Sequence, residues 1–264
     1  ITWPTRFPKR RGCPRKQIRT PNTRRVLFKN HDHIVGAGLV PARFKFKTFA
    51  ANFFCFIVRL SLIFRFSVLT SRQQLRSHIR ALRRSLSAEQ QHQASLDLVQ
   101  QLLPRPEVQQ AQHIALYLTN DGELDTTPLI QALWQQGKSL YLPLLHPVVP
   151  GYLVFQLYTP DTVLTPNQFG IGEPELNCSL LRPVSQLDLM FTPLVAFDSQ
   201  GQRLGMGGGF YDRTLSQLDS TVRKPQLIGL AHDCQHVEAV PVEAWDIPLP
   251  AICTPSRFCT FSEQ

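Results

Sequence analysis

From Thr70 onward the chain carries apolar residues at regular intervals, and the intervals define its elements. Leu75, Ile79, Leu82 and Leu86 recur at 4-3-4 spacing, the apolar stripe of an amphipathic helix. Arg72, Arg76, Arg80 and Arg83 climb a different face of it. Ser87, with Gln90 three residues on, has the form of a capping box opening a second helix toward Leu103, which Pro104 and Pro106 end. His113 to Leu118 is short, apolar and β-prone, so it reads as a buried strand. After the turn Asn120-Asp121-Gly122-Glu123, Asp125 or Thr126 can cap a helix that runs through Trp134 and stops at Gly137. Leu140 to Leu142 follows as a strand cut by Pro143, and Tyr152 to Tyr158 as an edge strand. Residues 159–186 carry several prolines and glycines and read as loop. Two apolar runs, Leu187 to Pro193 and Leu194 to Phe197, end at Asp198, and Gln226 to Ala231 and Ala251 to Thr254 give further strands. This β-α-β rhythm predicts an α/β fold for residues 70–264: a single three-layer sandwich with a mainly parallel, Rossmann-like sheet.

Charge divides the chain at about the same place. Residues 1–70 hold 15 Lys and Arg against one acid, Asp32, a net of +14, while the remaining 13 Lys and Arg and 18 acids leave a net of −5. The overall +9 therefore belongs to the first quarter, and the rest is a mildly acidic domain without the basic surplus of a nucleic-acid binder. An apolar stretch from Phe49 to Leu69 has about the length of a membrane span, but Arg59 and Arg65 interrupt it, each costing roughly 2.5–3.5 kcal/mol near a bilayer centre. Residues 1–69 show neither helical nor strand period. They are expected to be an extension outside the enzyme, such as an over-long start assignment; a transit peptide, on composition, and membrane association are the alternatives. Cys13, Cys55, Cys178, Cys234, Cys253 and Cys259 have no C-x-x-C or Cys/His ligand spacing, so free thiols in a reducing cytoplasm are expected.

The candidate chemistry lies in Gly201-Gln202-Arg203-Leu204-Gly205-Met206-Gly207-Gly208-Gly209-Phe210-Tyr211-Asp212. A polyphosphate needs several backbone N–H groups aimed at one point, and glycine lets the chain come that close. Placed between a strand and a helix, such a loop also presents the positive end of the helix dipole. It is not a P-loop, since no Gly-Lys-Ser/Thr follows, and Phe210 stands where G-x-G-x-x-G has its third glycine. Taken alone, the glycines fit a tight structural turn equally well. Arg203 and Asp212 favour phosphate: the cation can neutralise it and the carboxylate can hold Mg²⁺.

The run DLMFTPLVAFDSQGQRLGMGGGFYDRTL resembles the signature of the 5-formyltetrahydrofolate cyclo-ligase (methenyltetrahydrofolate synthetase) family. The resemblance extends upstream through the arginine-rich helix and LTNDGELDTTPLI, and downstream through IGLAHDCQHVEAVPVEAWDIPLPAICTPS, covering about residues 70–256. It implies an ATP- and Mg²⁺-dependent ligase closing 5-formyltetrahydrofolate into 5,10-methenyltetrahydrofolate with release of ADP and phosphate.

Residue by residue, the resemblance implies that Arg76 and Arg72 face ATP, one helical turn apart. The Arg72 position is often lysine in the family, so the charge is kept and the geometry changed; without the resemblance the arginine row reads as a solvated helix face. Arg203, Leu204, Gly205, Met206, Gly207, Gly208, Gly209, Phe210 and Tyr211 match the segment shared by ATP and folate, with Met206 to Phe210 nearer the folate. Some relatives carry a basic residue at the Gly208 position, so phosphate charge must here be met elsewhere. Leu118 and Glu123 match folate contacts, although the turn's three acids are indistinguishable without the resemblance. Asp212 and Asp246 match the Mg²⁺ positions, and Arg76 and Asp212 are the expected catalytic pair; a lone Asp246 also reads as a turn cap. Gln235 falls near the nucleotide, whereas His232, Asp233 and His236 read as structural.

The implied protein is a cytoplasmic monomer whose 70–264 domain has no nucleic-acid or membrane partner. Two other readings stand beside it: a non-ligase α/β enzyme active without ATP, and a nucleic-acid binder working through the basic segment.

Overall fold

The computed structural model describes residues 71–218 and 223–261. Residues 1–70, and with them the expected extension, its apolar stretch, Cys13 and Cys55, lie outside the described residues. Among those described, no helix is long and apolar enough to cross a membrane.

Helix α1 (Arg72–Arg84) is capped by Ser71, whose side chain accepts from the Gln74 amide. Its buried residues are Leu75, Ile79 and Arg83, while Leu82 is exposed. The expected stripe therefore fails at its third position, where a buried arginine takes the place of leucine. Helix α2 (Ala88–Leu102) opens on the expected capping box, with Ser87 and Gln90 bonding reciprocally. Pro106 does not end that helix but begins a short one, α3 (Pro106–Gln110), where its missing N–H costs nothing.

Strand β1 (His113–Ala115) is followed by α4 (Thr127–Gln135). Of the two candidate caps, Asp125 accepts from the Thr127 amide, while the Thr126 hydroxyl donates back to the Tyr117 carbonyl. The helix ends in a Schellman motif at Gly137 (φ 71°): the Gly137 amide bonds Trp134 and the Lys138 amide bonds Leu133.

Strand β2 (Ser139–Leu145) continues through Pro143 rather than stopping there. Along β2 the even residues turn their amides toward β3 (Leu153–Tyr158), as the His146 bond to the Tyr152 carbonyl shows. Odd residues face β1, but that ladder ends at Tyr141, so Pro143 deprives no neighbour of a hydrogen bond. Residues 159–186 are also more structured than expected. They hold the hairpin β4 (Leu164–Pro166) and β5 (Gly172–Pro174), and β6 (Leu181–Arg182), which pairs with β3 at Phe155 and Gln156 and so removes β3 from the sheet edge. After β7 (Leu189–Pro193) come the hairpin β8 (Ala196–Phe197) and β9 (Arg203–Leu204), then α5 (Phe210–Ser216), β10 (Gln226–Leu230), β11 (Ala251–Cys253) and β12 (Phe258–Thr260).

Among the described residues, eight strands form one sheet in the order β12-β11-β10-β7-β1-β2-β3-β6. The five from β11 to β2 run parallel, and β12, β3 and β6 add antiparallel. Strand residues alternate between two cores. Ile114, Leu140, Leu142, Leu189 and Phe191 pack against α2 and α4, whereas Ala115, Tyr141 and Met190 pack with Leu215 of α5. These are the three layers of the expected α/β sandwich. Helix α1 lies instead on the β8–β9 hairpin, where Leu75 and Ile79 meet Val195, Ala196 and Leu204. From β1 the chain winds outward to β2, and from β7 it winds the other way to β10 and β11. The β1–β7 boundary is therefore a topological switch point, where open α/β sheets leave a crevice at the carboxyl ends of their strands.

Candidate active site

The crevice is occupied by a cavity of about 1000 Å³. Its walls include Tyr117, Leu118 and Glu123 after β1, Pro193 at the end of β7 and Leu194 after it, and Gly205, Met206, Gly208 and Gly209 of the glycine run with Phe210, Tyr211 and Asp212. Two segments seventy or more residues apart in sequence thus face one space because β1 and β7 are neighbours.

In the glycine loop, Gly207 (φ 102°) and Gly209 (φ 62°) hold backbone conformations that a side chain disfavours. A Cβ on Gly209 would also come within 2.7 Å of the Arg213 guanidinium. Arg213 reaches back to the loop, donating to the Gly208 carbonyl and, at 2.9 Å, to Gly151. Arg76 donates from Nε to the Gly205 carbonyl at 2.8 Å and so lies beside the loop from the α1 side. Burial lowers its pKa first and Arg72 second, as for one of two cations pressed together.

Arg203 is buried, and its guanidinium is committed: Nη2 donates to Asp212 Oδ1 at 2.5 Å and Nε to the Ile247 carbonyl at 3.2 Å. The Ile247 amide donates to the same Asp212 oxygen. Arg72 forms a two-pronged pair with Asp246, at 2.5 and 3.1 Å, and also donates to the Pro241 carbonyl. The hydrogen bond from Arg72 holds Asp246 below the usual carboxylate range, against the opposing effect of burial. Leu204 packs inward against α1, so only its backbone is left for a ligand.

On the opposite wall, Glu123 has little support. The Asn120 amide donates to Oε2 at 3.3 Å, and Arg83 Nη1 lies 3.8 Å from Oε1. Burial pushes the Glu123 carboxyl up to about 7. Burial also raises Tyr117 and Tyr211, with Glu123 adding to each shift, so both phenols remain neutral beside it. Asp121 (φ 52°) gathers the guanidiniums of Arg80, Arg83 and Arg84.

The fold therefore brings Leu118, Glu123, Arg203, Gly205, Met206, Gly208, Gly209, Phe210, Tyr211 and Asp212 around one cavity. Arg76 touches the loop from outside that wall, and Arg72 and Asp246 form a pair joined to Asp212 through the neighbouring Ile247. Gln235 is buried against the Leu194 and Val195 carbonyls and acts as a structural tie. Sequence reasoning did not single out Arg213, although its position one turn into the helix after the loop was a signal, nor Phe169, which meets the Phe210 ring edge-on across the cleft.

A doubly wound sheet with a glycine-loop cleft at its switch point defines an α/β protein built to hold a ligand at the carboxyl ends of its strands. Comparison with known proteins is more specific. The 5-formyltetrahydrofolate cyclo-ligase family matches residues 68–255, and the chain belongs to that family. It is 53% identical to the 5-formyltetrahydrofolate cyclo-ligase of Haemophilus influenzae over 178 residues, covering 67% of this chain and 94% of that protein. It is 51% identical to the Escherichia coli K12 protein of the same name, covering 68% and 97%. The NMR structure of Aquifex aeolicus 5,10-methenyltetrahydrofolate synthetase superposes with a TM-score of 0.62 at 30% identity, over 73% of this chain and 94% of that one.

Proposed function

We propose that residues 70–264 form an enzyme that uses ATP and Mg²⁺ to convert 5-formyltetrahydrofolate into 5,10-methenyltetrahydrofolate, releasing ADP and phosphate. The observation that carries the reading is the shared cavity: a glycine loop ringed by arginines on one wall and a weakly supported carboxylate on the other. In this reading the formyl oxygen attacks the γ-phosphorus, and the bond to the ADP oxygen breaks. N10 then attacks the activated formyl carbon and gives up its proton to water, the carbon–oxygen bond breaks, and phosphate leaves with the former formyl oxygen. Such chemistry asks the protein for positioning and charge stabilisation.

Arg76 and the amides of Gly205 to Gly209 hold the phosphates, and Arg72 supports them from the same helix face. Arg213, pinned beneath the loop, adds the charge that the glycine at position 208 does not supply. Glu123 accepts hydrogen bonds from the pterin N–H groups, with Leu118, Met206 and Phe210 as apolar walls. The residues fit Mg²⁺ on one condition. Both protein bonds to Asp212 fall on Oδ1, so Oδ2 can take a cation whose other ligands are water and phosphate. Asp246 must first release Arg72. Mg²⁺ would neutralise charge on the transferring phosphoryl group.

The test is the appearance of methenyl-folate absorbance when ATP, Mg²⁺ and 5-formyltetrahydrofolate are added to the full chain. Product without ATP, or none from folded protein, rejects the reading.

A further inference from the structure

Arg83 stands apart from the other arginines of α1. It is fully buried, it does not line the cavity, and it occupies the place where the helix's apolar stripe calls for leucine. Burying a guanidinium is costly unless it is paired and hydrogen-bonded. Its Nη1 donates to the Leu194 carbonyl at 3.3 Å, and its Nη2 to the Asp121 carbonyl and carboxylate at 3.0 Å. Among the described residues, Nε has no hydrogen-bond partner. Arg83 thus joins α1 to the end of β7 and to the turn that carries Glu123, and it approaches the Glu123 carboxylate from behind the cavity wall.

The groups around Glu123 leave this arginine a specific task. Asp121, on the same turn, repels a charge on Glu123. Tyr117 after β1 and Tyr211 of α5 are neutral phenols. His232 packs close to Arg83 and to the backbone of Gly122 and Glu123; burial first, and then Arg83, lowers its imidazole to about 4, so it is uncharged near neutral pH. Arg80 and Arg84 are engaged by Asp121. Among the described residues, Arg83 is the cation within 4 Å of the Glu123 carboxylate.

We propose that Arg83 is a positioning residue that favours the charged form of the Glu123 carboxylate and holds it toward the cleft, so that it can accept the N–H donors of the ligand. The ligand's identity rests on the folate reading above; the coupling between the two side chains does not. Without Arg83, desolvation and Asp121 are opposed only by the long hydrogen bond from the Asn120 amide, and the incoming donors more often meet a neutral acid that carries a competing proton.

The experiment follows the Glu123 carboxyl by ¹³C NMR as pH is varied, assigned with Glu123→Gln, together with folate affinity at each pH. Arg83→Gln keeps amide donors for the Leu194 and Asp121 carbonyls but removes the charge. It should move the Glu123 midpoint up by about one unit and weaken folate binding at pH 7 about fivefold. Arg83→Lys, which keeps the charge, should restore most of both. In a Glu123→Gln background, Arg83→Gln should cause no further loss of folate affinity. An unmoved midpoint accompanied by a lower Tm overturns the proposal and reduces Arg83 to a structural tie. If Arg83→Gln does not fold, the Arg83 side-chain ¹⁵N signals of the unaltered enzyme should titrate with Glu123 and become flat in Glu123→Gln; flat signals in both overturn it. If the midpoint moves but Glu123→Gln binds folate normally, the coupling stands and the folate reading of Glu123 fails.

Discussion

Arg203 meets Asp212 at 2.5 Å, whereas Arg83 comes no closer than 3.8 Å to Glu123, and this difference separates the two walls of the cleft. On the glycine-loop wall the buried guanidinium and the carboxylate satisfy each other, and the Ile247 amide completes the arrangement. On the turn wall the carboxylate is desolvated but only loosely supported, and its proton affinity rises to the neutral range. On the first wall the charge pair holds the scaffold through Asp212 Oδ1 and leaves Oδ2 facing a ligand; on the second the whole carboxylate is left for one.

The largest effect expected from breaking this contrast is at the tight pair. Asp212→Asn leaves Arg203 as a buried cation without its counter-charge, and should cost on the order of 3 kcal/mol in denaturant unfolding. It should also reduce ATP-dependent turnover by about a hundredfold or more. Full activity in that variant would remove Asp212 from the site.

Glu123→Gln should act on the folate and spare ATP. It should weaken folate binding about tenfold at pH 8. In the unaltered enzyme folate affinity should rise with pH through about 7, as Glu123 ionises; in the variant it should be flat over that range.

The same carboxyl makes a separate prediction for stability. Its folded pKa lies above its ordinary 4.5, so its contribution is fully present below pH 4.5 and is lost as pH rises toward about 7. The unfolding free energy of the unaltered enzyme, relative to Glu123→Gln, should fall over that window by about 2–3 kcal/mol. A flat difference would show Glu123 ionising normally.

Arg76→Ala should weaken ATP binding by about tenfold in calorimetry and leave folate binding within a factor of two. Smallest of all, Arg72→Lys should change ATP affinity only two- to threefold, because the charge survives although the two-pronged contact with Asp246 does not.

The layers, the parallel core and the glycine loop between a strand and a helix were legible in sequence because each depends on local periodicity or on turn residues. The capping box at Ser87 and the stop at Gly137 are of this kind. What escaped depends on partners distant in sequence. Arg83 is polar at a core position because Asp121 and Leu194 meet it there, and nothing within α1 announces them. Pro143 stays inside β2 because β1 ends beside it. The β4–β5 hairpin lacks the alternation of longer strands, and its role as a cleft wall is set by packing. Of the candidate site residues, the loop and Glu123 could be named from motif resemblance. That Arg203 pairs with Asp212 and Arg72 with Asp246 is a property of the folded chain.

The rims of the sheet have a consequence for the life of the protein at high concentration. Both outermost strands, β12 and β6, are antiparallel additions of three and two residues, and β6 ends in Arg182. A long bare strand is a template on which another chain can add its own backbone, and short or charged rims remove that template. The five parallel strands that build the cleft are the slow, long-range part of such a topology to assemble. Among the described residues, β6 and β12 once closed leave only short rims, a poor template for strand addition by a neighbouring copy.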